Sequence, residues 1–293
     1  MAPGGRERPV PGAGRRLLLR LRNNAGACLG AGMLAVALAT AALHPWLMPY
    51  DPIAVDLDAT FQAPGAAHPF GTDSLGRDVL SRVMAGAPIS LRVAGMAVAV
   101  GLGLGGPLGL FAGLRGGLAD EAVMRLADIV LAFPSFLLAM AITAAMGVGL
   151  EKAIFAVGFC FWPRYARLVR GQVLVIREEP YVEAARAMGA GTLRISLRHV
   201  LPNCLAPVLV QATMDSGFAI LATAGLSFLG LGASPPTPEW GAMIAEYRQY
   251  LVSQWWMPVF PGLALSWLTA GFVFLGDGLR DILDPRLRAG GGL

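Results

Sequence analysis

Charge is scarce in this sequence. Asp, Glu, Lys and Arg make up 14% of its 293 residues, where a soluble domain carries about a quarter. That shortage excludes a chain whose whole surface meets water. Cysteine and histidine are scarce as well. Cys28, Cys160 and Cys204 have no metal-ligand spacing and imply no disulfide. His44, His68 and His199 are scattered and form no metal cluster. A phosphate-binding loop of the G-x-x-x-x-G-K-[ST] type is missing; "GLGLGG" at 101–106 lacks its Lys. No nucleophile–base constellation emerges, so a cell-surface enzyme has no residues to carry it.

What the chain has is apolar length. Hydrophobic residues reach 55%, and a helix needs about 20 of them in a row to cross a bilayer. Ala25–Leu43, Val93–Leu114, Ile129–Leu150 and Leu251–Gly276 contain no Asp, Glu, Lys or Arg, and Leu205–Ser234 contains only Asp215. Ala153–Pro163 is short, but its helix can continue through Arg164, Arg167 and Arg170, which are expected to snorkel to the interface. The expectation is an all-α polytopic membrane protein with six transmembrane helices. A cleaved signal peptide is the rival reading of the first span, yet its apolar run exceeds the usual 7–15 residues.

Basic residues orient the spans. With the amino terminus inside, the outer segments keep Arg77, Arg82, Arg92, Lys152 and Arg248, leaving eighteen of the 23 Lys+Arg on the inner side. Both termini are therefore expected to be cytoplasmic, and the net charge of +4 needs no nucleic acid to explain it. The chain divides into a basic arm (1–24), a first span (25–43), an outer loop with a short helix (44–90), a transmembrane core (91–280) with an inner loop at 164–206, and an inner tail (281–293).

In the outer loop, Asp73 or Ser74 can cap a short amphipathic helix lying along the membrane, with Asp78 and Arg82 as an i,i+4 pair. Gly101, Gly105, Gly109 and Gly113 recur every four residues on one face of span two, a pattern that admits another helix backbone. The neighbour is either within this chain or in a second subunit, and Pro107 is expected to kink the span. Asp215 is an intramembrane carboxylate, open to a substrate role or to structural pairing. Asp128 is expected to pair with Arg125.

The inner loop is an elbow of two helices. Pro180 suits a first turn, Gly189 the position just past the helix end, and a second helix starts near Thr192 and stops at Pro202. Glu178, Glu179 and Glu183 set the first helix against a simple lipid anchor, and Ala184, Ala185 and Ala187 make it slim. Docking into a partner's groove and resting on headgroups both remain open from spacing. A nucleic-acid-binding elbow is disfavoured by the acidic first helix.

"EAARAMG", nine residues and "HVLP" (183–202) resemble the EAA loop of binding-protein-dependent ABC importers. Glu183, Ala184, Ala185, Gly189, Leu201 and Pro202 match that pattern, and His199 stands where Ile is usual. "YVEAARAMGAGTLRISLRHVLPN" is similar to the dipeptide, oligopeptide and nickel permeases. "HPFGTDSLGRDVLSRVMAGAPISL" (68–91) and "LSFLGLGASPPTPEWGAMI" (226–244) resemble their C-type subunit, with Pro88 a departure from a common Arg.

The resemblance implies an ABC importer type I permease core in the bacterial inner membrane, with the elbow as a coupling helix seated in a cytoplasmic ATPase. Glu183 would touch the cleft rim, Ala184 and Ala185 would permit close approach, Gly189 would turn the chain, and Pro202 would end the elbow. The implied partners are a second permease subunit, two ATPase subunits, an extracytoplasmic binding protein and membrane lipid. No cofactor is expected on this chain; ATP and Mg belong to the ATPases. The implied cargo is a dipeptide or oligopeptide, with nickel or another small solute as the alternative. A secondary transporter or channel is the rival class, for which no internal repeat is evident.

Overall fold

A computed structural model describes residues 24–283. The arm up to Asn23 and the tail beyond Leu283 lie outside the described residues. Among the described residues there are helices and turns and no strand. In chain order the helices are α1 (Ala25–Leu47), α2 (Val79–Arg115), α3 (Gly117–Leu131), α4 (Ser135–Met146) and α5 (Leu150–Ile176). They continue as α6 (Pro180–Ala187), α7 (Thr192–Phe228), α8 (Trp240–Tyr247) and α9 (Trp256–Leu283).

Four helices, α1, α2, α7 and α9, are long and apolar enough to cross a membrane, and the bent pair α3–α4 makes a fifth candidate. The expected third span is therefore not one helix. The chain turns by 90° between Leu131 and Ser135, because Pro134 has no N–H and pushes Phe133 out of helical geometry. α5 is continuous over 27 residues, as its extension past Pro163 required.

The short outer helix is also corrected: Val79 begins the 37-residue helix α2, which runs on through Pro88 and Pro107 into the membrane. Its cap is Asp78, accepting from Ser81 N at 2.7 Å, rather than Asp73 or Ser74. Asp78 meets His68 Nδ1 at 2.9 Å, so it is not the partner expected for Arg82.

The core sits along α2 and α5. The glycine stripe faces α5: a side-chain carbon at Gly101 would lie 2.6 Å from Phe161 Cβ, and one at Gly113 2.7 Å from Val173 Cβ. Gly105 and Gly109 lie against the carbonyls of Trp162 and Ala166. These contacts advance in the same direction along both helices, so α2 and α5 are parallel. Beside them α9 runs antiparallel to α1, with Gly30 against Leu275 and Gly278 against Ala27. Asn24, capping α1, also donates to Asp281 near the end of α9 at 3.3 Å, so the two ends of the described residues lie on one face.

Candidate functional site: an elbow, an interhelical ion pair and a polar lock

The elbow is built by its own end chemistry. Pro180 fills the first position of α6. At the other end Gly189 adopts φ +83, its N–H donates to Arg186 O at 2.9 Å, and Ala190 N donates to Ala185 O at 3.0 Å. This is a Schellman closure, in which a left-handed residue lets two orphan carbonyls be satisfied. Val182 is buried with Ile195 and Val200 in the main core cluster and Ala185 is buried as well, while Glu183 and Ala184 face outward. The smallness of Ala185 thus serves packing within the chain. Met188 and Leu193 are exposed on the outer side, at 83% and 73%.

Pro202 does not stop the second helix. Leu201 N–H reaches back to Ser196 O, a wide turn of i→i+5 type over Ser196–Val200, and the helix continues to Phe228. The widened turn absorbs the missing proline N–H, and Asn203 Nδ2 takes the His199 carbonyl at 2.6 Å. Leu201 lies apart from the outer face of α6. It lines an apolar groove of 390 Å³ with Leu102, Gly106, Leu110 and Leu205, between α2 and α7.

The arginines of α5 are each paired with a carboxylate of another helix. Arg170 forks onto Asp120 of α3, with Nε to Oδ1 at 2.5 Å and Nη2 to Oδ2 at 2.7 Å. Arg167 pairs with Asp128, displacing the expected Asp128–Arg125 bridge, and Arg125 turns to Glu121 at 3.4 Å instead. Arg164 Nη1 donates to Asp215 Oδ1 of α7 at 3.2 Å. Asp215 is buried, so the carboxylate singled out from sequence is matched by an internal cation.

At the end of the helix bundle away from the elbow a polar cluster was missed by sequence reasoning. Asp73 Oδ2 accepts from Arg77 Nε at 2.6 Å and from Tyr247 OH at 2.7 Å; Arg77 Nη2 also donates to Glu246 Oε1 at 2.5 Å. Arg77, Asp73 and Tyr247 are almost fully buried. Burial disfavours the Arg77 cation, but Tyr247, Asp73 and Glu246 outweigh it and hold its pKa above the ordinary value. Burial pushes the Tyr247 hydroxyl up. Arg82 donates to Pro52 O at 3.0 Å, Trp240 Nε1 to Val83 O at 3.0 Å, and Trp256 Nε1 to Thr72 O at 3.1 Å. The loop before α2 is thereby locked to α8 and the start of α9. The i,i+4 spacing of Asp73 and Arg77 was the one signal available; nothing local announces Tyr247 as the third member.

Comparison with known proteins agrees with this architecture. Residues 105–289 match the family described as binding-protein-dependent transport system inner membrane component, and residues 13–64 match the N-terminal transmembrane domain of oligopeptide transport permease C. The chain is 44% identical to the probable D,D-dipeptide transport system permease protein DdpC of Escherichia coli (strain K12), over 95% of this chain and 93% of that protein. It is 44% identical to the di/tripeptide transport system permease protein DppC of Pseudomonas aeruginosa (strain UCBPP-PA14), over 91% and 90% respectively. Its fold is similar to a chain of the MetNI methionine ABC transporter in an inward-facing conformation, with TM-score 0.53 and 21% identity over 70% of this chain and 96% of that one. On the match over 105–289 and the identity to these relatives, the chain belongs to the binding-protein-dependent transport system inner membrane component family.

Proposed function

We propose that this chain is one of two permease subunits of an ATP-driven importer of dipeptides or oligopeptides in the bacterial inner membrane. The observation that carries the reading is the elbow: a rigidly closed α6 with exposed Glu183, Ala184, Met188 and Leu193, continuous with a helix that enters the membrane. Exposed apolar side chains among charges on a polar face suit a protein partner. The partners are two cytoplasmic ATPases, which bind ATP and Mg, a second permease and an extracytoplasmic binding protein. The peptide cargo rests on the relatives, whose names give dipeptides and di/tripeptides.

Six crossings, with α5 counted as one, suit this topology. Because α2 and α5 are parallel, the chain between them has to return across the membrane, so α3 and α4 together make one crossing despite their bend. Arg92 near the membrane entry of α2 meets Glu151 at the start of α5 at 2.7 Å, and Arg177 at the far end of α5 donates to Gly113 O at 3.4 Å. With α1, α7 and α9 the total is even, in keeping with both ends on one face. Both ends are cytoplasmic by the arginine distribution.

Coupling then has a lever. From Leu193 to Asp215 the helix α7 covers about 33 Å at 1.5 Å per residue. A displacement imposed on the elbow by closing ATPases would reach the Arg164–Asp215 layer as a rigid-body movement. The test is Gly189→Val in the reconstituted complex. ATP-dependent uptake should be lost while the chain still inserts and ATP is still hydrolysed; unchanged uptake overturns the assignment of the elbow.

A further inference from the structure

The polar layer between α5 and α7 holds a cation that its protein partners leave incompletely bonded. Arg164 lies midway along α5, and its guanidinium sits by the rings of Phe161 and Phe218, 5.8 and 5.7 Å from their centroids. Of its five N–H donors, the described residues engage one, on Asp215 at 3.2 Å. The two charges are not equally accessible. Arg164's side chain is 36% exposed and Asp215's 3%. Asp215 is turned into the protein; Arg164 is turned out of it.

A guanidinium exposed at this depth cannot rest against acyl chains, where a charge costs several kcal/mol. It faces water-filled space or a neighbouring subunit. One helical turn nearer the elbow a cavity of 610 Å³ opens, lined by Leu168, Gln172, Asn203, Gln211, Met214 and Arg280 among others. Its polar wall groups are amides and a second guanidinium, with no carboxylate. That wall offers N–H donors to an anion, and a forked guanidinium such as that of Arg164 is shaped for a carboxylate.

We propose that Arg164 is a specificity-determining residue that recognises a carboxylate on the transported solute, the C-terminal carboxylate when the cargo is a peptide. The inference rests on the reading of this chain as a peptide-importer subunit. Asp215 and the two rings hold the guanidinium in place, and Asp215 offsets its charge so that a bound acid is released and not trapped. A solute anion engages the outward N–H groups while Nη1 stays on Asp215.

The test uses the complete complex with its binding protein in proteoliposomes, and Ala-Ala as free acid and as C-terminal amide. The variant is Arg164→Gln with Asp215→Asn, which removes both charges together and keeps a hydrogen-bonding pair of similar size. The binding protein's own preference is common to wild type and variant and cancels in their ratio. Loss of a charge-assisted hydrogen bond should lower the acid-over-amide uptake ratio about tenfold, and Arg164→Lys, which keeps charge without the fork, should fall between. An unchanged ratio, or equal loss of both substrates, overturns the inference and leaves the pair as an interhelical tie. So does failure of both variants to assemble with the ATPase. A wild-type complex that moves neither peptide overturns the peptide reading and this inference with it, which separates that failure from the others.

Discussion

Gly105→Ala measures how much of this fold rests on the approach of α2 to α5. The added carbon would collide with the Trp162 carbonyl and lie 2.8 Å from Tyr165 Cβ and 3.0 Å from Ala166 N. Carbon atoms prefer about 3.5–4.0 Å, so the helices must separate by roughly 0.5–1 Å at this point. The obstacles are main-chain and Cβ atoms and cannot rotate away. Overpacking of this kind costs about 1–3 kcal/mol. Replacing a helical glycine by alanine returns up to about 1 kcal/mol, which would blur a single measurement. Gly103→Ala removes the ambiguity: it lies on the same helix and its new carbon meets nothing within 4 Å. The propensity gain is common to both variants, so their difference isolates packing, at about 1–3 kcal/mol. Thermal denaturation of the purified protein in detergent, with uptake alongside, reads it. If the two alanine variants unfold at the same temperature, the close approach is not what holds α2 to α5.

Asp73→Ala should destabilise the outer lock by about 3–5 kcal/mol, because Arg77 loses its best partner while buried; denaturation midpoints check it, and a loss below 1 kcal/mol would refute a buried network. Gly189→Asn should keep the elbow, since asparagine tolerates left-handed backbone, whereas Gly189→Val should cost about 1–2 kcal/mol locally; protease sensitivity of the inner loop distinguishes them. Glu239, whose carboxylate caps α8 through Gly241 N and Ala242 N, has its pKa raised by burial. A raised carboxyl pKa means that its contribution is full below the unfolded value of about 4.3 and declines as pH rises through the folded one. Glu239→Gln should flatten that part of the stability–pH curve, and parallel curves for wild type and variant would count against it.

Much of the architecture was legible because lipid imposes a simple code. Uncharged runs located the starts of α1 and the membrane parts of α2, α7 and α9, since every buried charge there has to be matched. The elbow was legible down to Gly189, whose place after Met188 calls for a left-handed residue, and φ +83 supplies it. Ion-pair partners were not legible. Arg170 meets Asp120 fifty residues away and Arg164 meets Asp215 across two helices, whereas sequence spacing favours neighbours such as Arg125 and Asp128. Which member of a pair faces the open side was equally hidden. Asp215 drew notice as a lone acid in an apolar run, but the exposed charge belongs to Arg164, in a segment that reads as an ordinary basic flank.

Prolines misled for a physical reason. Pro88, Pro107, Pro163, Pro202, Pro207 and Pro261 all lie inside continuous helices. In water a proline in such a place usually ends the helix, because the freed carbonyl can turn to solvent. Within a bilayer the alternative to helix is an unsatisfied backbone, which costs several kcal/mol, so the helix persists and neighbouring groups or a widened turn absorb the defect. The wide turn at Ser196–Val200 and the Asn203 bond to His199 O absorb Pro202 of the elbow in a comparable way. Pro134 does break the chain, with Ala132, Phe133 and Pro134 exposed in the turn between α3 and α4. The polar Ser135 follows, and α3 is the charged half of the pair. Exposure alone does not decide the outcome, since Pro107 and Pro202 are exposed as well and their helices continue.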